Sequence, residues 1–393
     1  MKIRHLHIIG ISLSMAAVTL LTGCSKEENP QDVRPIRDMY MVMGSHAYSD
    51  LTEITPTRAL PSGYEVYENL SLQMDMEDIK IRAFVTQENE VKFQGDFVYD
   101  TRGTTHVWGS KVPIDEGDYY IYGFLPSSQV KGVNITPLSG GNFANGAQMT
   151  LEHLSPIISY DPCVIVGVKG SSSGTTPIAD MNMQLGQFIY NAENNEYIYV
   201  LIDHLYAALD IRMEIDAGYN KLRTIEVTKL ELKPHETSEV TKPVTLTAKL
   251  TPGTTTPLAI TTELETSGTL VGWQTVYQAK GQGKGMLLKD NTQGTDYRQQ
   301  FMACIATGVK ASAVSKENKI FQIRSTYNVY DKEGNLVRKD CQAINKLTLP
   351  ETFFNSQSDL AAGEKYIFFL KVNPTYLYVL SEPDLDNPMV TVN

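Results

Sequence analysis

The segment GSSSG, residues 170–174, has the G-x-S-x-G spacing of a nucleophile elbow, in which the central Ser172 would attack an acyl group. It follows the apolar, strand-like segment CVIVGVK (163–169), as the motif requires. A nucleophile elbow also needs a helix directly after the serine, but Thr-Thr-Pro follows at 175–177 and forms helices poorly. We therefore interpret the segment as a hairpin loop, and we predict no catalytic residue and no enzymatic activity.

A second glycine-rich segment, GQGKG at 281–285, superficially resembles a phosphate-binding loop. It lacks the G-x-x-x-x-G-K-S/T spacing, and Met286 stands where a serine or threonine would bind magnesium. The histidines form no HxxxH or HExxH pattern, so their spacing indicates no zinc site, although a site built from distant strands is left open. We predict no metal site and no cofactor.

Cysteine is sparse in this chain. After Cys24 come Cys163, Cys304 and Cys341, without a C-x-x-C spacing, so at most one disulfide can form among them. Cys163 lies in PCVIVGV and Cys304 in FMACIA, and cysteines in such apolar segments are usually buried. We predict buried, unreactive thiols at these two positions, and the redox state of all three is left open.

Length and charge restrict the classes of partner. The chain has 393 residues and a formal net charge of −11. Nucleic acids and anionic membrane surfaces bind positively charged faces, so this balance argues against both as partners. At roughly 100–200 residues per domain, the length predicts two domains, each able to bury its own core.

The N-terminus has the features of an export signal. Lys2 and Arg4 precede an apolar segment, Ile8–Leu21, that is too short to span a bilayer comfortably. The segment ends in Leu-Thr-Gly-Cys at 21–24, and small residues before a cysteine resemble a lipobox. We predict that residues 1–23 are a lipoprotein signal peptide and that Cys24 carries an acyl chain such as palmitate. The alternative is an ordinary secretory signal with an incidental cysteine.

Alternation of apolar and polar residues recurs along the chain and predicts β-strands. The clearest alternating segments are 79–85, 211–215, 225–232, 321–329 and 376–380. A one-residue shift between Val227 and Leu230 predicts a β-bulge. No segment has the spacing of a long helix, so we predict an all-β protein of mainly antiparallel β-sandwiches. A polar turn at 191–195 places the domain boundary near residue 200, between domains of 59–200 and 201–393.

The segment DMYMVMG, residues 38–44, lies in an N-terminal arm that comprises residues 24–58. As a strand, it would place Met39, Met41 and Met43 on one face, with Tyr40 and Val42 on the other. A strand facing water is rarely apolar on both faces, whereas a strand inserted into a groove is. We therefore predict that this segment occupies a groove. The alternative is a flexible tether that happens to carry methionines.

The segment TPTRALP, residues 55–61, places one arginine between two prolines. The prolines keep the segment extended, and an extended, exposed segment is what a protease cleft accepts. Cleavage between Arg58 and Ala59 would remove both the acyl anchor and the first strand. The gap in the sheet could then be filled by a strand of another chain. The alternative is an ordinary surface loop.

The lipobox, the early strand, the Arg-Ala junction and the two successive β-domains together resemble the fimbrillins, the type V pilus subunits of Bacteroidia. The local segments that share this resemblance are FVY at 97–99, VW at 107–108, DYYIYGFLP at 118–126 and HLYA at 204–207. The charged Lys-Glu-Glu at 26–28 resembles the surface-export signal of lipoproteins in Bacteroides-like bacteria.

The resemblance implies two tandem transthyretin-like β-sandwich domains and a structural subunit, shaft or tip, of a surface fimbrium. It implies an outer-membrane lipid anchor at Cys24 before processing, and an arginine-specific protease that cuts between Arg58 and Ala59. A neighbouring pilus subunit would then supply the missing strand. The donor candidates are the C-terminal segment with Tyr376, Tyr378 and Leu380, or residues 389–392.

The sequence leaves three points of this assignment undecided. Arg37 is a competing cleavage site, and cleavage there would leave the early strand in place. Pro383 and Pro388 interrupt the C-terminal tail, which leaves the choice between shaft and tip subunit open. The alternative function is an anchored surface lipoprotein that binds glycans or host ligands.

Overall fold

The computed structural model describes the ranges 34–46, 48–50, 64–67, 74–103, 105–138, 140–171, 187–190, 197–233, 244–251, 259–265, 272–281, 283–292, 298–306, 320–348 and 360–373, with residues 69 and 71. None of the helices in these ranges has the length and apolar content needed to cross a bilayer.

Strands dominate the structure. Those of the first half are β1 Ile36–His46, β2 Ser49–Asp50, β3 Tyr64–Val66, β4 Ile81–Gln87, β5 Glu90–Arg102, β6 Thr105–Pro113, β7 Gly117–Leu125, β8 Gly132–Pro137, β9 Ala147–Leu154, β10 Ile157–Ile158, β11 Cys163–Ser171, β12 Gln187–Tyr190 and β13 Tyr197–His204. Those of the second half are β14 Tyr206–Ile215, β15 Thr224–Lys233, β16 Val244–Thr251, β17 Ala259–Glu265, β18 Gln274–Gln278, β19 Met286–Leu287, β20 Gln299–Ala306, β21 Ile320–Tyr330, β22 Leu336–Thr348 and β23 Glu364–Val372. The described helices are α1, Ala217–Asn220, and 3-10 turns at Met76–Asp78, Ser127–Gln129 and Phe143–Asn145.

The largest sheet closes on itself. Its strand order is β11-β13-β1-β6-β5-β4-β7-β12, and β11 also pairs with β7. The closing contact pairs Cys163 with Leu125 and Val164 with Phe124. Seven strands therefore form a ring, which we call the first ring. Strand β1 is one of these seven and has a hydrogen-bonded neighbour on each side, so it is not an edge strand.

In the strands of the first ring, alternate side chains point inward and together fill the interior. Ile81, Ala83 and Val85 of β4 point into this core, whereas Phe84 packs on the outer face. Trp108 also lies in the core, where its Nε1–H donates to the carbonyl oxygen of Ile79 over 2.8 Å. Successive side chains of a strand point to opposite faces, so the period-two pattern of the sequence decides which residues are buried.

Three further sheets lie within the described residues. Their strand orders are β10-β20-β14-β23-β2, β18-β15-β21-β22 with β19 beside β15, and β17-β16-β9-β8. The first two of these sheets enclose a shared apolar core. The third packs on the outer face of the first ring. The predicted bulge in β15 is confirmed, since the pairing with β21 slips between Val227 and Lys229.

The prediction of an all-β protein with mainly antiparallel β-sandwiches is confirmed by these sheets. The predicted boundary between residues 200 and 201 lies inside β13, and the chain enters the next sheet at β14. Hairpin β16–β17, from the second half, pairs with β9 of the first half. The sheets therefore cross the predicted boundary, and the division at residue 200 stays a prediction.

Candidate functional site

Strand β1 is held by hydrogen bonds on both of its edges. Residues 36–41 pair antiparallel with β6, and residues 40–45 pair parallel with β13. On the β6 side, β3 continues the pairing opposite residues 44–46. The amide of Tyr67 extends this edge by donating to the carbonyl oxygen of Met43 over 3.2 Å. Among the described strands, β6 and β13 pair with β1 and not with each other.

The two faces of β1 contact different parts of the protein. Met39, Met41 and Met43 are 0%, 0% and 2% exposed and lie in the core of the first ring. On the opposite face, Val42 is buried in a small cluster, and Tyr40 packs against that cluster.

Tyr40 is further held by Arg102, whose guanidinium lies 3.6 Å from the centre of the Tyr40 ring. The same guanidinium donates to the Tyr40 hydroxyl. Tyr40 also packs against Tyr197, with ring centres 5.9 Å apart. Neighbouring strands therefore hold both edges of β1, the core covers its methionine face, and side chains of β6 and β13 cover the middle of its other face.

Removal of β1 would leave a gap of defined shape. Each buried methionine contributes about 1.5–3 kcal/mol by leaving water, and each main-chain hydrogen bond adds about 0.5–1.5 kcal/mol. Loss of the strand would expose the core and leave unpaired N–H and C=O groups along β6 and β13. An extended segment with an apolar residue at every second position would restore both sets of contacts.

The arm also contacts a second sheet. Ser49 and Asp50 form β2, which pairs parallel with β23 at the edge of its sheet. Between β1 and β2, the ring of Tyr48 stacks on His204 with ring centres 3.7 Å apart and planes 19° apart. The arm therefore supplies β1, which is one strand of the first ring, and β2, which is the edge strand beside β23 in a second sheet.

Most of the other predicted site residues lie outside the described residues. These are Cys24, Arg58, Ala59, Tyr376, Tyr378 and Leu380, and Ser172, which the sequence analysis rejected as a nucleophile, also lies outside them. The competing cleavage site Arg37 is described: it lies in β1, in register with Val112 of β6. A protease cleft accepts an unpaired strand, so Arg37 is protected for as long as β1 stays in the sheet.

The predicted burial of the two cysteines in apolar segments is confirmed. Cys163 and Cys304 are buried free thiols, and burial raises the pKa of both well above the ordinary value. Cys341, which is partly exposed in β22, is also free.

One cluster was missed from the sequence. Asp161, Cys163 and His204 have their ligand-type side-chain atoms within 4.8 Å of one another. Cys163 and His204 are 41 positions apart, so no motif spacing signals the cluster. Only the pairing of β11 with β13 brings them together.

No protein-family model matches the chain, and no curated protein sequence matches it. Among solved structures, a candidate cell adhesion protein from Bacteroides fragilis is 12% identical, with 85% of this chain and 94% of that chain covered and a TM-score of 0.37. The tip fimbrial protein Mfa3 from Porphyromonas gingivalis, with a C-terminal truncation, is 11% identical, with 86% and 96% covered and a TM-score of 0.31. A fimbrial protein from Bacteroides vulgatus is 12% identical, with 84% and 95% covered and a TM-score of 0.23. The chain is thus similar to fimbrial and cell adhesion proteins, as the resemblance to fimbrillins predicted.

Proposed function

We propose that this protein is a non-enzymatic structural subunit, shaft or tip, of a cell-surface fimbrium. It is exported as a lipoprotein acylated at Cys24, and an arginine-specific protease cuts between Arg58 and Ala59. The cut releases residues 24–58, and a strand of a neighbouring subunit enters the gap between β6 and β13. Subunits then join one after another by the same exchange.

The single observation that supports this proposal is the position of β1. An N-terminal arm usually lies on a surface or at a sheet edge, where its loss leaves the core intact. Here the arm supplies an internal strand, and its three buried methionines belong to the core itself. A chain that lost this arm would need a replacement strand, which is the condition for assembly by strand addition.

The pairing also sets the direction of the incoming strand. β1 is antiparallel to β6 and parallel to β13. A donor that restores both ladders must run in the direction of β1 and place apolar residues at the positions of Met39, Met41 and Met43. The alternating segment with Tyr376, Tyr378 and Leu380 has the required periodicity, and residues 389–392 are the other candidate.

Treatment of the purified chain with an arginine-specific protease tests the proposal. We expect a product that begins at Ala59, loses the arm and forms oligomers. Arg58→Ala should stay uncut and monomeric, whereas the matched control Arg37→Ala should be cut and should assemble like the unaltered chain. A chain that loses its arm and remains monomeric would contradict the proposal. A chain that resists the protease and binds oligosaccharides would favour the anchored glycan-binding lipoprotein instead.

A further inference from the structure

A mixed cluster of side chains lies where β11 begins and β13 ends. Cys163 and His204 are directly opposite each other in the antiparallel pair, and Asp161 precedes Cys163 by two residues. Cross-strand partners share a face of a sheet, so the side chains of Cys163 and His204 point to the same side, and Asp161 lies in the segment just before β11. The sheet itself therefore places a carboxylate, a thiol and an imidazole together.

Asp161 and Cys163 both approach the same atom of His204, the ring nitrogen Nδ1. The Asp161 Oδ2 atom lies 2.8 Å from Nδ1 of His204, and the Cys163 Sγ atom lies 3.5 Å from the same Nδ1. A ring nitrogen carries one hydrogen or one lone pair, so it makes one good hydrogen bond rather than two. The other carboxylate oxygen of Asp161, Oδ1, is buried and has no hydrogen-bond partner among the described residues.

This geometry does not suit a cysteine nucleophile. In a Cys-His-Asp triad, the thiol and the carboxylate contact opposite nitrogens of the imidazole, so that the ring can move a proton between them. Here both groups face Nδ1.

We propose that Asp161, Cys163 and His204 bind a thiophilic divalent cation of the Zn²⁺ type. Thiolate, imidazole and carboxylate are the ligands that Zn²⁺ takes, at about 2.0–2.3 Å. Ligand atoms at these lengths on a tetrahedral ion lie roughly 3.3–3.8 Å apart, and the sulfur–nitrogen distance of 3.5 Å is already within this range. The 2.8 Å between Oδ2 of Asp161 and Nδ1 of His204 is a hydrogen-bond distance, and it must lengthen by roughly 0.5 Å when an ion replaces the hydrogen. A thiolate and a carboxylate together neutralise the ion, so the buried site carries no net charge.

The N-terminal arm covers this site. The Tyr48 ring lies on the face of the His204 ring, and the Tyr48 hydroxyl is 3.8 Å from the sulfur of Cys304 in β20. The Tyr48 ring therefore covers one face of the His204 ring, and the Tyr48 side chain also hydrogen-bonds to Asp161. The metal proposal concerns the intact chain and stands whether or not the arm is later cut.

Titration of the reduced, uncut full chain with Co²⁺ tests the proposal. We expect one equivalent to bind and to give the sulfur-to-cobalt charge-transfer absorption of a thiolate ligand. Excess Zn²⁺ should abolish this absorption. A chain that shows no sulfur-to-cobalt absorption would overturn the proposal.

Matched cysteine variants locate the sulfur ligand. Cys163→Ser should lose the absorption and weaken binding by more than about 100-fold, beyond the 10- to 100-fold that loss of an outer-shell partner costs. Cys341→Ser, in β22 and outside the cluster, should bind as the unaltered chain does. An absorption that survives in Cys163→Ser, or that disappears in Cys341→Ser, would place the site elsewhere and overturn the proposal.

X-ray absorption at the zinc edge gives a second measurement, which does not depend on whether Cys163→Ser folds. The zinc-loaded, unaltered chain should show one sulfur and one imidazole ligand. A coordination sphere without sulfur would overturn the proposal. A chain that binds zinc in this way but never assembles would leave the metal site standing and would refute the pilus function alone.

Discussion

Met41 is the residue whose truncation tests the role of β1 most cleanly. Its side chain is 0% exposed, and its backbone pairs with Trp108 on one side and Ile198 on the other. Met41→Ala keeps both ladders and removes only the side chain from the core. Buried methionine-to-alanine changes cost about 2–5 kcal/mol, so we expect the free energy of unfolding to fall by about 3 kcal/mol.

Met41→Ala should also weaken the binding of the arm to the rest of the protein once the chain has been cut after Arg58. A loss of about 3 kcal/mol corresponds to a roughly 100-fold change in an equilibrium constant, since 1.4 kcal/mol is tenfold. We therefore expect the cleaved arm of Met41→Ala to be displaced about 100-fold more readily by a peptide with the sequence of residues 36–46. A fluorescent label on the arm would report the displacement.

Ile36→Ala provides the matched control, because Ile36 lies in the same strand and is 71% exposed. Exposed substitutions usually change stability by less than about 0.5 kcal/mol, so this variant should behave like the unaltered chain. Equal arm displacement in Met41→Ala and Ile36→Ala would refute the reasoning, since it would mean that the methionine face does not hold the strand.

Three further changes have defined outcomes. Gly109→Val would place Cβ 2.9 Å from the Tyr40 ring and push that ring aside, so the cleaved arm should be displaced about tenfold faster in the peptide assay. Trp108→Phe leaves a buried carbonyl oxygen without its donor and should lower the free energy of unfolding by about 1–3 kcal/mol in urea titrations. Burial would raise the pKa of the Glu231 carboxyl, but the hydrogen bonds from Arg324 outweigh this and lower it. A lowered carboxyl pKa gives stability that is present above about pH 4.5 and is lost as the pH falls further, so Glu231→Gln should flatten the acid side of the stability profile.

The sequence predicted the features that follow from local periodicity. The apolar residues on both faces of segment 38–44 indicated a strand within a sheet. In the structure, the methionines of β1 lie in the core, and Val42 lies in a cluster on the opposite face. The shift of phase in β15 indicated the bulge, because an extra residue moves every later side chain to the other face. Both signals lie within about ten residues of chain.

The features that depend on distant pairing were not predictable in the same way. Closure of the first ring depends on two residue pairs between β7 and β11. The addition of hairpin β16–β17 to β9 joins segments from the two halves of the chain. Asp161, Cys163 and His204 meet only because β11 and β13 pair in one particular register. Periodicity shows which face of a strand is buried, but it does not name the neighbouring strand.

Hydrogen exchange of the main-chain amides in β6 and β13 tests the central claim most directly. Both strands bond to β1, and among the described strands they do not bond to each other. After removal of the arm, we expect their amides facing β1 to exchange much faster, and we expect protection to return when the subunits assemble. If these amides stay protected in the arm-free monomer, the sheet is complete without β1, and the account of assembly by strand replacement is wrong.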